Sequence, residues 1–129
     1  MTDFSSALSV AASGMRSQSD RLRFVSENIA NADTPGYRRK IISFEADRSA
    51  AVQGAVTTGP VRLDTATLPR IHDPNHPMAD AAGYYDGSNV DLVIELSDAR
   101  EAQRSYEANL RVFDQIRQMS TSLNDLLRR

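Results

Sequence analysis

Residues 4–29, FSSALSVAASGMRSQSDRLRFVSENI, decide the architecture. Phe4, Leu8, Ala11, Met15, Gln18, Leu22, Val25 and Ile29 step by four and three residues in strict alternation, and all but Gln18 are apolar. A repeat averaging 3.5 residues is the seam of a coiled coil rather than the broader stripe of a globular helix. Ala7, Ala12, Ser13 and Gly14 flank the seam and let a neighbouring backbone come close. Asp20, Arg23 and Glu27 sit at helical neighbour spacing on the polar side. Thr34-Pro35 stops the helix, because the residue before a proline is pushed out of the α region, and Gly36 suits the chain reversal that follows.

Outward from that stretch the 129 residues divide into three parts. Residues 1–33 are expected to form an N-terminal helix. Residues 34–89 form a turn and a short-stranded segment that holds all five prolines, Pro35 among them, and residues 90–129 form a long helix with neither proline nor glycine. In that last part Leu92, Leu96, Ala99, Tyr106, Leu110 and Phe113 follow 4/3 steps with Gln103 filling a gap, after which the stripe drifts to Ile116, Met119, Leu123 and Leu126 or Leu127. Ser88 and Asp91 have capping-box spacing at its start. Such a helix could run roughly 57 Å at 1.5 Å per residue, too long for one side of a ball of this mass. The middle is expected to carry strands at 41–44, 56–58 and 61–63, with too few large apolar residues to stand alone. The fold class is therefore mainly α, a coiled-coil-like pair or bundle of terminal helices around a small irregular β-containing segment. Seam residues contribute at most roughly 1.5–3 kcal/mol each, against an ordering cost of roughly 1–2 kcal/mol per residue. The helices are thus expected to be loosely ordered alone and to fold by packing into an assembly.

Composition narrows the chemistry. Fifteen bases and seventeen acids give a net charge of −2, unlike the basic face of a nucleic-acid binder. No cysteine is present, which excludes disulfides, zinc fingers and thiol catalysis. No window approaches a membrane span, and Met1-Thr2-Asp3-Phe4 has an acid where a secretory signal needs bases. His72 and His76 have a helical metal-ligand spacing, but Pro74 and Pro77 turn the segment. Asp91, Glu95, Asp98 and Glu101 read as a solvated face near a helix N-terminus rather than an acid–base pair. Tyr37-Arg38-Arg39-Lys40, the one basic cluster, reads as a strand edge or an inter-subunit ion pair. No catalytic residue, metal ligand or cofactor is expected.

The stretch Ser26-Glu27-Asn28-Ile29-Ala30-Asn31-Ala32-Asp33-Thr34-Pro35-Gly36-Tyr37 resembles the signature of bacterial flagellar rod and hook proteins, Asn-x-Ala-Asn-x-x-Thr-Pro-Gly-Tyr, at the end of their N-terminal helix. His72 to Asp80 with Gly83-Tyr84, and Asn89-Val90-Asp91 leading to Arg104-Ser105-Tyr106-Glu107-Ala108-Asn109, look like stretches of the proximal-rod members. The resemblance implies a non-enzymatic axial subunit that polymerises through its terminal helices, is exported by the flagellar type III apparatus without a cleaved signal, and works in the periplasmic basal-body rod, transmitting torque. Implied partners are other rod proteins, copies of itself and the export apparatus, with no nucleic acid and no membrane insertion. It also implies that Asn28, Asn31, Thr34, Pro35, Gly36 and Tyr37 form the turn from helix to β region. Phe4, Leu8, Ala11, Met15, Leu22, Val25 and Ile29, with Leu92, Leu96, Ala99, Tyr106, Leu110, Phe113, Ile116, Leu123 and Leu127, would line assembly seams. The other readings are a sister proximal-rod subunit, a coiled-coil adaptor or export chaperone, and a small acid–base enzyme.

Overall fold

A computed structural model describes residues 2–129. Helix α1 spans Thr2–Ala30 and helix α2 spans Leu92–Leu127, roughly 44 and 54 Å at 1.5 Å per residue. Between them lie six short strands, β1 Lys40–Ile41, β2 Phe44–Ala46, β3 Val56–Thr58, β4 Arg62–Leu63, β5 Arg70–His72 and β6 Tyr84–Asp86. They form three separate two-stranded antiparallel ladders, β1 with β4, β2 with β3 and β5 with β6. The chain is mainly α, with two long terminal helices and a small β-containing middle.

The two helices run antiparallel and pack along their length. Asn28 meets Glu95, Arg21 meets Asp98, and Gly14 lies against Asn109. A Cβ added at Gly14 would stand 2.9 Å from Asn109 Nδ2, so the absent side chain is what admits the asparagine. α1 ends at Ala30, where the Asn31 and Ala32 amides turn back to the Asn28 and Ile29 carbonyls at 3.2 Å each. The start of α2 is capped by Asp91, whose Oδ1 accepts from Val93 N at 2.9 Å and Ile94 N at 3.4 Å. That corrects the capping-box reading: Ser88 Oγ accepts from Val90 N within the preceding turn instead. Asp91 holds extended backbone at φ −103°, as an N-cap does.

The expected strand through 41–44 is broken at Ile42-Ser43, because Lys40-Ile41 and Phe44-Ala46 bond to different partners. The middle leans on α1. Ser13 Oγ donates to the Val10 carbonyl at 2.7 Å and accepts from Val56 N at 3.1 Å, while Thr58 Oγ1 donates to Asp20 at 3.3 Å. Among the described residues the buried apolar side chains are only Ala11, Val25, Ala55 and Ala102. The largest fully buried side chains are polar, Glu95 and Asn28. A core this small makes a poor foundation for two helices of this length.

Candidate functional site

Two features dominate the surface and centre of the hairpin: a buried polar junction where α1 ends, and apolar flanks left open along α2.

The junction is built around Asn28, 1% exposed. Its Oδ1 accepts from the Tyr37 hydroxyl and from Lys40 N, both at 2.9 Å. Its Nδ2 donates to the Lys40 carbonyl at 3.0 Å and to Glu95 Oε2 at 3.3 Å. An amide offers two donors and two acceptor sites, and all four are engaged. Glu95, with no exposed surface, takes its second bond from Arg39 Nε. Asn89 closes the far side: its Oδ1 accepts from Arg39 N at 2.7 Å and its Nδ2 donates to the Asp64 and Ala66 carbonyls at 3.2 Å each. Asn31 and Thr34 brace the turn, with Asn31 Nδ2 donating to the Glu27 carbonyl at 2.8 Å and Thr34 Oγ1 donating to Asn31 Oδ1 at 3.1 Å. Gly36 has φ +73°, a conformation that a side chain would strain, and its amide donates to the Asp86 carbonyl at 3.1 Å. Half-buried Pro35 precedes it. Burial pushes the Tyr37 phenol up. Lys40 Nζ lies 2.8 Å from Glu27, and that hydrogen bond lowers the carboxyl and raises the ammonium.

Two of the expectations drawn from charge are overturned here. Glu95 does not belong to a solvated face, and Asp98 is paired with Arg21 across the helix interface. The basic cluster is neither a bare strand edge nor free for another subunit: Arg39 is held by Glu95 and by Asp64 at 3.8 Å, and Lys40 by Glu27. Sequence reasoning named Glu95, Arg39, Asn89 and Asn109 but counted none of them among the site residues, because it built the seam from large apolar residues. The usable signal was the seven-residue series Glu95, Ala102, Asn109, Ile116, Leu123, the line of α2 turned toward α1, on which Glu95 and Ala102 have no exposed surface.

Of the expected seam residues on α1, Ala11 and Val25 are buried and Phe4, Leu8, Met15, Leu22 and Ile29 half-buried. On α2, Ala99, Tyr106, Phe113 and Ile116 are half-buried, but Leu92, Leu96, Leu110, Leu123 and Leu127 remain exposed, as do Val93, Ile94, Val112, Met119 and Leu126. Phe4, Met119, Leu123 and Leu126 line an open apolar groove at the end of the hairpin distant from the junction. A second cleft of about 310 Å³ lies between α1 and the β1–β2 segment, lined by Phe24, Ile41 and Phe44 among paired charges. No described helix is long and apolar enough to cross a membrane.

A hairpin of long terminal helices, pinned by an Asn-rich turn and carrying uncovered apolar flanks, has the build of a subunit that packs against other chains. The family described as "Flagella basal body rod protein" matches residues 8–38, and "Flagellar basal body rod FlgEFG protein C-terminal" matches residues 81–126. These segments are α1 with its turn and α2 with its approach, so the matches fall on the two faces of the junction. Among curated proteins, the chain is 44% identical to the flagellar basal-body rod protein FlgC of Agrobacterium fabrum, over 99% of this chain and 98% of that protein. It is 34% identical to FlgC of Salmonella typhimurium, over 85% and 87% of the two chains, and 34% identical to FlgC of Aquifex aeolicus, over 88% and 89%. The chain belongs to the flagellar basal-body rod proteins, and within them to the FlgC type.

Proposed function

We propose that this chain is a structural subunit of the proximal rod of the flagellar basal body, polymerising by packing of its terminal helices into the shaft that carries torque. The observation that carries the reading is the exposure of Leu92, Val93, Ile94, Leu96, Leu110, Val112, Met119, Leu126 and Leu127 on a single helix. Apolar surface on that scale needs a cover, and neighbouring rod subunits with the same long helices provide it. The junction fixes the angle and register at which each subunit presents those flanks. A shaft under torsion needs that fixity, because load passes through packed helix walls and not through loops. The role is mechanical rather than enzymatic. The partners are other rod proteins and copies of this chain, reached after export through the flagellar type III apparatus into the periplasm.

Replacing Leu96 or Leu110 by Asp tests the reading, since both are exposed and neither is needed to close the hairpin. The expected result is unchanged helicity of the purified subunit with loss of swimming and of assembled basal bodies. Normal swimming by both variants would overturn it.

A further inference from the structure

Three residues at one level of the hairpin break the pattern of the helices around them. Ala11, Gly14, Gln18, Arg21, Val25 and Asn28 step by three and four along α1 and form its line toward α2. Ala11, Val25 and Asn28 are buried, Gly14 lies against Asn109, Arg21 meets Asp98 and Asn28 meets Glu95. Within this line Gly14 is a glycine in the middle of a helix, where backbone entropy counts against it. Gln18 is the single polar residue of the apolar 4/3 series. Asn109 stands half-buried on the side of α2 turned toward α1, where an apolar residue is the ordinary choice. Among the described residues, Gln18 Oε1 is the one buried side-chain N or O atom without a hydrogen-bond partner. An acceptor left so is destabilising and asks for a reason.

We infer that Gln18 and Asn109 are a positioning pair, Asn109 Nδ2 donating to Gln18 Oε1 across the helix interface with Gly14 as the seat of the bond. Side chains on an α-helix lean toward its N-terminus and cover the preceding turn. Gln18 therefore leans over Gly14, where the Asn109 amide already rests, its Nδ2 2.9 Å and its Cγ 3.3 Å from the place a Cβ would take. Asn109 leans toward Ser105, and in an antiparallel pair that direction is toward Gln18. The two amides converge from opposite ends on the space that a side chain at position 14 would fill. The amide nitrogen has two donors and Gln18 Oε1 has its acceptor sites free. Rotation about the terminal amide torsions, which are broad, closes the bond. One pairing thus accounts for the glycine, the glutamine and the asparagine together. Asn28–Glu95, Arg21–Asp98 and Arg21–Glu101 tie the helices on the junction side, and the amide pair carries that tie to the middle of α1. A polar pair inside an apolar seam fixes register at some loss of stability. Here it aligns the arm of α2 beyond the junction, and with it the direction in which the outer flanks face. The inference concerns the single chain and stands apart from the rod-subunit reading.

Side-chain amide exchange with water, read by NMR on the full chain in buffer with enough osmolyte to hold it folded, tests the pair. In the unmodified protein the Asn109 side-chain amide should exchange at least about fivefold more slowly than that of exposed Asn75. Gln18→Met keeps the length and cover of the side chain and removes the acceptor, so the Asn109 rate should rise by about fivefold; cover alone would leave it unmoved. In urea unfolding, the effects of Gln18→Met and Asn109→Leu on the unfolding constant should depart from their product by about threefold or more in the double variant. Exchange at Asn109 as fast as at Asn75, a rate unchanged by Gln18→Met, or effects that multiply to within about twofold would each overturn the inference. The first of these is read without any substitution, so a variant that fails to fold does not shelter it.

Discussion

Removing the carboxylate of Glu95 attacks the junction at its least accessible point. Glu95→Ala leaves the Arg39 Nε and the second Asn28 donor facing an apolar methyl. Breaking a fully buried ion pair costs about 3–5 kcal/mol. The Arg39 side chain is 22% exposed and keeps Asp64 at 3.8 Å, which brings the expected loss to about 2–3 kcal/mol. Urea unfolding followed at 222 nm measures it, in an osmolyte-supplemented buffer that holds the parent on its folded baseline. With a slope of about 1.5 kcal/mol per molar, the midpoint should fall by roughly 1.5 M. Arg39→Met should cost a comparable amount, and the double variant should be less destabilised than the sum by about 2 kcal/mol, the coupling of the pair. Additivity within about 0.5 kcal/mol would refute the claim that these two groups hold each other.

Asn28→Asp keeps the shape of the side chain, removes both donors and sets a second carboxylate beside Glu95; a loss of about 2–3 kcal/mol is expected in the same urea assay. Gly36→Ala meets no atom within 4 Å but sits at φ +73°, so backbone strain alone should cost about 1–2 kcal/mol, seen as a lower melting temperature with an unchanged helical spectrum. The Asp80 carboxyl is held below its usual range, first by the Tyr84 amide and also by Arg70. A lowered folded-state value means its contribution is complete above the ordinary carboxylate value of 3.8 and is lost as pH falls below that through the folded one. The Tyr84 amide resonance should therefore stay fixed from neutral pH down to about 4 and shift only in stronger acid, and a shift centred near neutrality would contradict the assignment.

The sequence was informative where burial and hydrophobicity coincide. On α1 they do: the 4/3 series from Phe4 to Ile29 is half-buried or buried throughout. On α2 they part. Its covered line is Glu95, Ala102, Asn109 and Ile116, small or polar residues that suit a close approach to Gly14 and a bonded junction, whereas Leu92, Leu96 and Leu110 stand outside it. A periodicity search weighted by hydrophobicity finds the uncovered flank first. The turn residues Asn28, Asn31 and Gly36 were legible from a motif, but Glu95, which bonds Asn28, lies 67 residues away in the chain, and Asn89, which bonds the Arg39 amide just past the turn, lies 50 away from it. Sequence spacing carries no signal for such pairings. β1 to β4 were placed roughly, yet not their pairing: β3 and β4 flank Gly59-Pro60 without bonding to each other, because each joins a strand that precedes them both.

The claim on which the rest depends is that neighbouring subunits complete a hairpin whose own core is too small to hold it firmly. Amide hydrogen exchange along α2, compared between the isolated subunit and assembled basal bodies, measures this directly. The account predicts that assembly raises protection across 92–127 by about a hundredfold or more, equivalent to about 2.7 kcal/mol of added stability. Equal protection in the free and assembled states would contradict it.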